Sequence, residues 1–224
     1  MAHPAAAHSP TVIGPERADE YLAQMGIDIA DINDAIDAGE IMAGNITTNH
    51  PITAAGLTRW IHVVGRLREK LASSGLWSPD NPQNRPISKR NDARYTLSTV
   101  GGDEVTGIAD HPRGPSAARK KGKSTAEAVN GMDSLIRIET LRPSPDNGDG
   151  TAPPNGNWFL IYHRADGSVR LEVSLPLGFD ENEGQFTGWR VRVILPDWRP
   201  KEISEKKPLD VGGQDVDFQI FEAS

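Results

Sequence analysis

The sequence predicts an α+β fold, in which an acidic N-terminal part of about three helices precedes a mainly antiparallel β-sheet with one short helix. Apolar residues recur at three- to four-residue spacing through residues 15–73, which is typical of amphipathic helices. Residues 134–195 read as successive strands with no helix between them, which argues against a parallel sheet. With 224 residues, the chain is long enough to bury a substantial core.

Three helices are predicted in the first third of the chain. The first begins at Pro15, because proline is favoured in a first helical turn, and it ends at Gly26. The second covers residues 28–43, and the third covers residues 53–73. The third has the clearest periodicity and is expected to bury one apolar stripe. That stripe consists of Leu57, Trp60, Ile61, Val64, Leu67 and Leu71.

Strands are predicted mainly in the last two thirds. The sequence Ala165-Asp166-Gly167 indicates a hairpin turn between two of them. A short helix is expected after Gly122, with Ser124 as its cap and Glu127 as the reciprocal partner of a capping box. The predicted strands cover residues 94–100, 104–108, 135–141, 158–164, 168–175, 188–195 and 215–221.

Stretches rich in turn-forming residues indicate how the chain is divided into segments. Residues 1–12 read as a disordered tail and residues 13–77 as a helical subdomain. Residues 78–93 are rich in turn formers and are predicted to link this part to a β-rich domain at 94–224. A Pro-, Gly- and Asn-rich stretch at 142–156 is expected to be a mobile loop.

Charge is distributed very unevenly along the chain. The protein has 24 Lys and Arg against 31 Asp and Glu, for a net charge of −7. Residues 59–123 nevertheless hold thirteen Lys and Arg against six Asp and Glu. An acidic protein with a basic middle segment suggests a polyanionic partner for that segment.

The absence of cysteine excludes disulfides, thiolate metal sites and a cysteine nucleophile. It fits a reducing compartment, and we expect a cytoplasmic protein of bacterial accessory type. No apolar run reaches the length of a membrane helix, so no membrane association is expected. No cofactor and no metal site are assigned from the sequence.

The main functional hypothesis is a non-enzymatic accessory protein that contacts nucleic acid, DNA or RNA, through its basic middle segment. Clustered cations can neutralise backbone phosphates without any catalytic motif. The residues predicted to do so on the loop are Arg113, Arg119, Lys120, Lys121 and Lys123. One face of the third helix adds Arg59, Arg66 and Lys70.

Two other interpretations of the same charges stay open. Acidic residues of the second helix could neutralise the basic face of the third inside the molecule; these are Asp31, Asp34, Asp37 and Glu40. Alternatively, the acidic flanks could bind a basic protein partner, as in an inhibitor, immunity or assembly module.

A third hypothesis is a metal-dependent phosphodiesterase or nuclease that uses Asp103 with Glu104, or Asp166 with Glu172. The segment Gly101-Gly102-Asp103-Glu104 resembles the hairpin signature of diguanylate cyclases, whose carboxylates face metal and nucleotide. The resemblance covers these residues alone, and a β-turn with two exposed carboxylates is the simpler explanation of them. Gly122-Lys123-Ser124-Thr125 resembles a phosphate-binding loop, but Ala117 stands where that motif has its first glycine.

Overall fold

A seven-stranded mixed sheet forms the centre of the part of the chain that the structure describes. The computed structural model describes residues 9–139 and 152–200. The spatial strand order is β1-β7-β6-β5-β4-β3-β2. The strands are β1 (Thr11–Ile13), β2 (Trp77–Asp80), β3 (Ile87–Arg90), β4 (Tyr95–Gly101), β5 (Gly156–Ala165), β6 (Ser168–Asp180) and β7 (Gln185–Ile194).

Within residues 9–139 and 152–200, four α-helices accompany the sheet. Helices α1 (Pro15–Ala23), α2 (Ile29–Gly44) and α3 (Ala54–Ser73) precede the main strands, and α4 (Lys123–Glu139) lies between β4 and β5. Asp28 caps α2 by accepting a 2.7 Å hydrogen bond from the Ala30 N–H. The α+β class and the N-terminal helices followed by a sheet are confirmed.

Most strand pairs are antiparallel, as predicted, but two pairs are parallel. Strand β1 runs parallel to β7, and β4 runs parallel to β5. The connection from β4 to β5 passes through α4, as the crossover between parallel strands requires. The carboxyl ends of β4 and β5 therefore meet at one end of the sheet.

The sheet separates two apolar layers. On one face, Trp158, Leu160 and Val173 pack with the apolar residues of α1, α2 and α3 in a single cluster. On the other face, Phe159 and Ile161 pack with residues of α4. Alternation along β5 thus supplies both layers.

Helix α3 is rotated relative to the predicted stripe. Val63 is fully buried, whereas Leu57 and Ile61 are 52% and 50% exposed, so their predicted burial is wrong. A Cβ at Gly39 of α2 would lie 2.4 Å from the Val63 Cγ2. The absence of a side chain at this glycine lets α2 approach α3 along Val63, and this turns Leu57 and Ile61 outward.

Two strand predictions differ from the structure. Residues 104–108 form tight turns, in which the Asp103 side chain accepts from the Val105 N–H at 3.2 Å. Residues 135–139 form the end of α4, so this helix is longer than predicted. The prediction of a strand was wrong because a brief apolar run fits a helix as well as a strand. The other predicted residues of that strand, the loop at 142–151 and the strand at 215–221 lie outside the described residues.

Strands also occur where none were expected. Strands β2 and β3 lie within or beside the stretch at 78–93 and pair with each other. Trp77 begins β2, is buried, and donates from its indole N–H to the Gly26 carbonyl at 3.1 Å. Thr11 and Val12, placed in the predicted tail, belong to β1.

Strand β7 departs from simple alternation. Trp189 lies on the α4 side of the sheet, whereas Val191 and Val193 face the other helices. The register between β6 and β7 shifts at Pro176, and this irregularity changes which face Trp189 occupies. Alternation with Val191 and Val193 predicts that Arg192 points into solvent, but it is completely buried.

Candidate nucleic-acid interface

The basic face of α3 is neutralised by α2. Arg59 contacts Glu40 at 2.5 Å, and Arg66 contacts Asp34 at 2.7 Å. Lys70 lies 3.0 Å from the same Asp34 carboxylate. Hydrogen bonds from Lys70 and then Arg66, together with their charges, hold the pKa of Asp34 below its usual range.

These contacts confirm the intramolecular interpretation for three of the eight predicted cations. Asp31 adds a longer contact, at 3.9 Å from the Lys70 ammonium. The basic face of α3 thus has an internal role that needs no ligand.

The loop after β4 is held against the sheet over much of its length. The Ala118 N–H donates to the Gly101 carbonyl at 2.8 Å, and the Lys121 N–H donates to the Gly184 carbonyl at 2.9 Å. Gln185 exchanges two side-chain hydrogen bonds with the backbone of Ala117. The cations of the loop therefore project from an anchored backbone.

The five loop cations differ in how far they are neutralised. Arg113 contacts Asp103 at 2.9 Å and donates to the Ser116 hydroxyl at 2.6 Å. Lys120 and Lys123 make longer contacts with exposed carboxylates, to Glu183 at 3.8 Å and to Glu127 at 3.6 Å respectively. Such exposed pairs contribute little and are easily exchanged for a phosphate.

Arg119 and Lys121 are the two least compensated cations of the loop. Within residues 9–139 and 152–200, neither side chain has a carboxylate partner. Lys121 is half-buried, and this burial, followed by the charge of Arg119, lowers the pKa of its ammonium. Two neighbouring cations are thus held where no carboxylate of the described residues neutralises them.

Both side chains line an open recess at the carboxyl ends of β4 and β5. Its volume is about 390 Å³, which is within the range of small-molecule sites. We call it the basic recess. It is lined by Gly56, Leu57, Arg59, Trp60, Gly101, Gly102, Ala118, Arg119, Lys121, Tyr162, His163 and Arg164.

Hydrogen bonds fix the walls of the basic recess. The indole N–H of Trp60 donates to the Thr99 carbonyl at 3.1 Å. A ring nitrogen of His163 lies 3.2 Å from the Gly102 carbonyl. Burial raises the pKa of Tyr162 to about 12, so its hydroxyl stays neutral at physiological pH.

Positive charge predominates in the basic recess. Four Lys or Arg side chains line it, and the single carboxylate of Glu40 is shared by two of them, Arg59 at 2.5 Å and Arg164 at 3.3 Å. The excess positive charge lies mainly at Arg119 and Lys121, which have no carboxylate partner among the described residues. The arrangement favours an anionic ligand with an apolar portion, because Leu57, Trp60 and Tyr162 supply carbon surface.

The carboxylates proposed for metal chemistry are dispersed. Asp103 is paired with Arg113, and Glu104 is largely exposed. Glu172 is buried against Arg192, while Asp166 lies in the hairpin turn between β5 and β6. Among the described residues, no group of three or more His, Asp or Glu side chains could hold a metal ion.

The start of α4 differs from the predicted capping box. The helix begins at Lys123, and the Gly122 carbonyl accepts hydrogen bonds from the Thr125 and Ala126 N–H groups. Glu127 instead accepts a 2.7 Å hydrogen bond from the Gln83 side chain. The reciprocal Ser124–Glu127 cap was therefore wrong.

Three lining residues of the recess, Arg59, Arg119 and Lys121, were predicted from the sequence, but most of the recess was not. Trp60 was assigned to the core, and Tyr162 and Arg164 were assigned to an ordinary strand. The missing signal was the parallel pairing of β4 with β5, which depends on recognising α4 between them.

Comparisons of the chain with protein-family models, with curated proteins and with solved structures found no match. None of the helices in the described part of the chain is both long enough and apolar enough to cross a membrane.

Proposed function

We propose that this protein binds nucleic acid through the loop residues Arg119–Lys123 and the adjoining basic recess, and that it acts as a cytoplasmic accessory protein without catalysis of its own. The observation that carries the proposal is the pair Arg119 and Lys121, which line one recess with no carboxylate partner among the described residues. Backbone phosphates are the anions for which clustered cations are best suited.

The remaining loop cations extend this surface. Lys120 is exposed, and its nearest carboxylate is an exposed glutamate at 3.8 Å. Lys123 begins α4, where the helix dipole adds a partial positive charge. Arg113 contributes less, since Asp103 already holds its guanidinium at 2.9 Å.

The direct test is fluorescence anisotropy with labelled single- and double-stranded DNA and RNA at low and moderate salt. Wild-type affinity should fall steeply as salt rises, because binding releases condensed counterions. The double variant Arg119→Glu/Lys120→Glu should bind weakly, and its salt slope should be shallower by roughly one to two.

A matched control reverses two exposed cations elsewhere. Arg17 lies on α1, and Lys89 lies on β3 opposite Thr96, near the amino end of β4. Arg17→Glu/Lys89→Glu changes the net charge by the same amount and should retain binding. Equal losses in both double variants, or no wild-type binding at low salt, would contradict the proposal.

A protein partner is the second candidate function. The observation that favours it is the exposure of large apolar side chains on α2 and α3, namely Ile41 at 66%, Leu57 at 52% and Ile61 at 50%. Salt-independent binding of a protein, with no affinity for any nucleic acid, would favour this alternative.

A further inference from the structure

We propose that the basic recess accepts one unstacked nucleotide, with its base against the apolar wall and its phosphate at Arg119 and Lys121. This inference rests on the proposed function and specifies the form of nucleic acid that the site takes. The ligand is an aromatic base joined to a phosphate, either as a free nucleoside monophosphate or as an unpaired nucleotide of a strand.

The walls of the basic recess combine aromatic and apolar surface with cations. Trp60, Tyr162 and Leu57 line the recess beside the cations. The Trp60 indole N–H is already occupied by the Thr99 carbonyl, so this side chain offers ring surface rather than a donor. Aromatic surface next to cations is how proteins hold single-stranded nucleic acid, because every base has a π-face.

The basic recess has the size and the opening to solvent that one base requires. A recess of about 390 Å³ that opens to solvent can admit one planar base. In a duplex the bases are stacked inside the helix and cannot enter such a recess, whereas in a single strand they can be turned out. Duplex would reach only the phosphate-binding cations at the rim.

The backbone groups of the basic recess bear on whether binding depends on the base sequence. The backbone groups at the end of β4 are already engaged: the Gly102 N–H donates to the Tyr162 carbonyl, and the Gly101 carbonyl accepts from Ala118. The Gly102 carbonyl lies 3.2 Å from the His163 ring nitrogen. These groups are therefore not available to read base edges, and binding should be tolerant of sequence.

Filling the recess without changing its charge gives the sharpest test. Gly56 lines the recess, and a Cβ built there meets no atom within 4 Å. Gly65 lies on the same helix with equally open surroundings and is not among the lining residues. Gly56→Leu is the test variant and Gly65→Leu is its matched control, with circular dichroism confirming that both fold.

The probes are a labelled single-stranded oligodeoxyadenylate and a duplex of equal length. Wild type should bind the single strand more tightly. Gly56→Leu should weaken single-strand binding by at least about 5-fold, the lower range for the loss of one base–aromatic stack, and leave duplex binding within about 2-fold. Gly65→Leu should alter neither affinity.

A second pair of variants guards against an unexpected shift of α3. Leu57→Asp introduces a carboxylate into the recess, while Ile61→Asp introduces one a helical turn away at a similarly exposed position. We expect the first to weaken single-strand binding more than the second. Competition by free deoxyadenosine monophosphate then identifies the source: displacement of the oligonucleotide assigns the recess to free nucleotides as well, and its absence assigns it to nucleotides within a strand.

The outcomes separate this inference from the function on which it rests. Salt-dependent binding that Arg119→Glu/Lys120→Glu abolishes, but that Gly56→Leu and Leu57→Asp affect no more than their controls, would leave nucleic-acid binding intact and overturn the nucleotide recess. Equal wild-type affinity for single strand and duplex would also overturn it. A wild-type protein that binds neither probe at low salt would overturn both proposals.

Discussion

Arg192 and Glu172 form a bidentate ion pair in which both side chains are completely buried. The Arg192 Nη2 lies 2.6 Å from Glu172 Oε2, and its Nε lies 3.1 Å from Oε1. Glu172 also accepts from the Gly107 N–H at 2.9 Å and from the Ser174 hydroxyl at 2.7 Å. The pair therefore ties the turn after β4 to the centre of the sheet.

Removing one partner of this pair should be strongly destabilising. We expect Arg192→Met to lower the free energy of unfolding by about 3–5 kcal/mol, because it leaves a buried carboxylate without its cation. The double variant Glu172→Leu/Arg192→Met should lose less than the single variant. Urea denaturation measures both, and a double variant that is the less stable of the two would contradict this account.

The contact between Gly39 and Val63 gives a second prediction. A Cβ at Gly39 would lie 2.4 Å from Val63 Cγ2 and 3.0 Å from the Arg59 carbonyl oxygen. Gly39→Ala should therefore destabilise the protein by about 1–3 kcal/mol, even though alanine is the better helix former.

Gly65→Ala is the control for that substitution. Its Cβ meets nothing within 4 Å, so only helix propensity changes. We expect a gain of about 0.5–1 kcal/mol in the free energy of unfolding. Thermal and urea denaturation of the two variants should move in opposite directions, and stabilisation by both would show that α2 and α3 are not closely packed there.

Local patterns predicted the helices well and the two faces of the sheet unevenly. Proline at the start of α1 and the long periodicity of α3 depend on neighbouring residues, and each gave the right element. Alternation along residues 168–175 predicts one shared face for Val169, Leu171 and Val173, and all three are buried in one cluster.

The errors concern features that only distant contacts decide. Arg192 was expected in solvent because alternation alone cannot show that Glu172 and the turn after β4 cover that position. The end of α4 was interpreted as a strand, which concealed the parallel pairing of β4 with β5. The basic recess could not be predicted for the same reason, although three of its four cations were, namely Arg59, Arg119 and Lys121.

The ion pairs between α2 and α3 should make stability depend on pH. Asp34 has a lowered pKa in the folded protein, mainly through the hydrogen bond from Lys70. Its contribution is therefore fully present above the ordinary Asp pKa of about 4 and is lost as pH falls through the lower folded value. Asp34→Asn should reduce stability near neutral pH by about 1 kcal/mol or less, since the site is partly exposed.

The difference in the free energy of unfolding between wild type and Asp34→Asn should shrink as the pH falls from roughly 6 to roughly 2, because the Asp34 carboxylate becomes protonated over that range. Asp37→Asn is the control on the same helix, because Asp37 has no ion pair among the described residues. Urea denaturation across this range measures all three proteins. A difference that grows as pH falls would show that Asp34 has the opposite linkage.

The lowered pKa of Lys121 should appear in the pH dependence of phosphate binding. Only the charged ammonium attracts phosphate, so affinity should fall as pH rises through the pKa of the free protein. Burial and the neighbouring Arg119 bring that pKa below the ordinary lysine range. Lys121→Arg keeps its charge throughout and should hold its affinity to higher pH.

The matched variant is Lys89→Arg on β3, which should follow the wild-type profile. Anisotropy with oligodeoxyadenylate, whose bases stay uncharged in alkali, measures all three proteins at constant ionic strength. Coincident profiles for wild type and Lys121→Arg would mean that the Lys121 ammonium does not contact the bound phosphate.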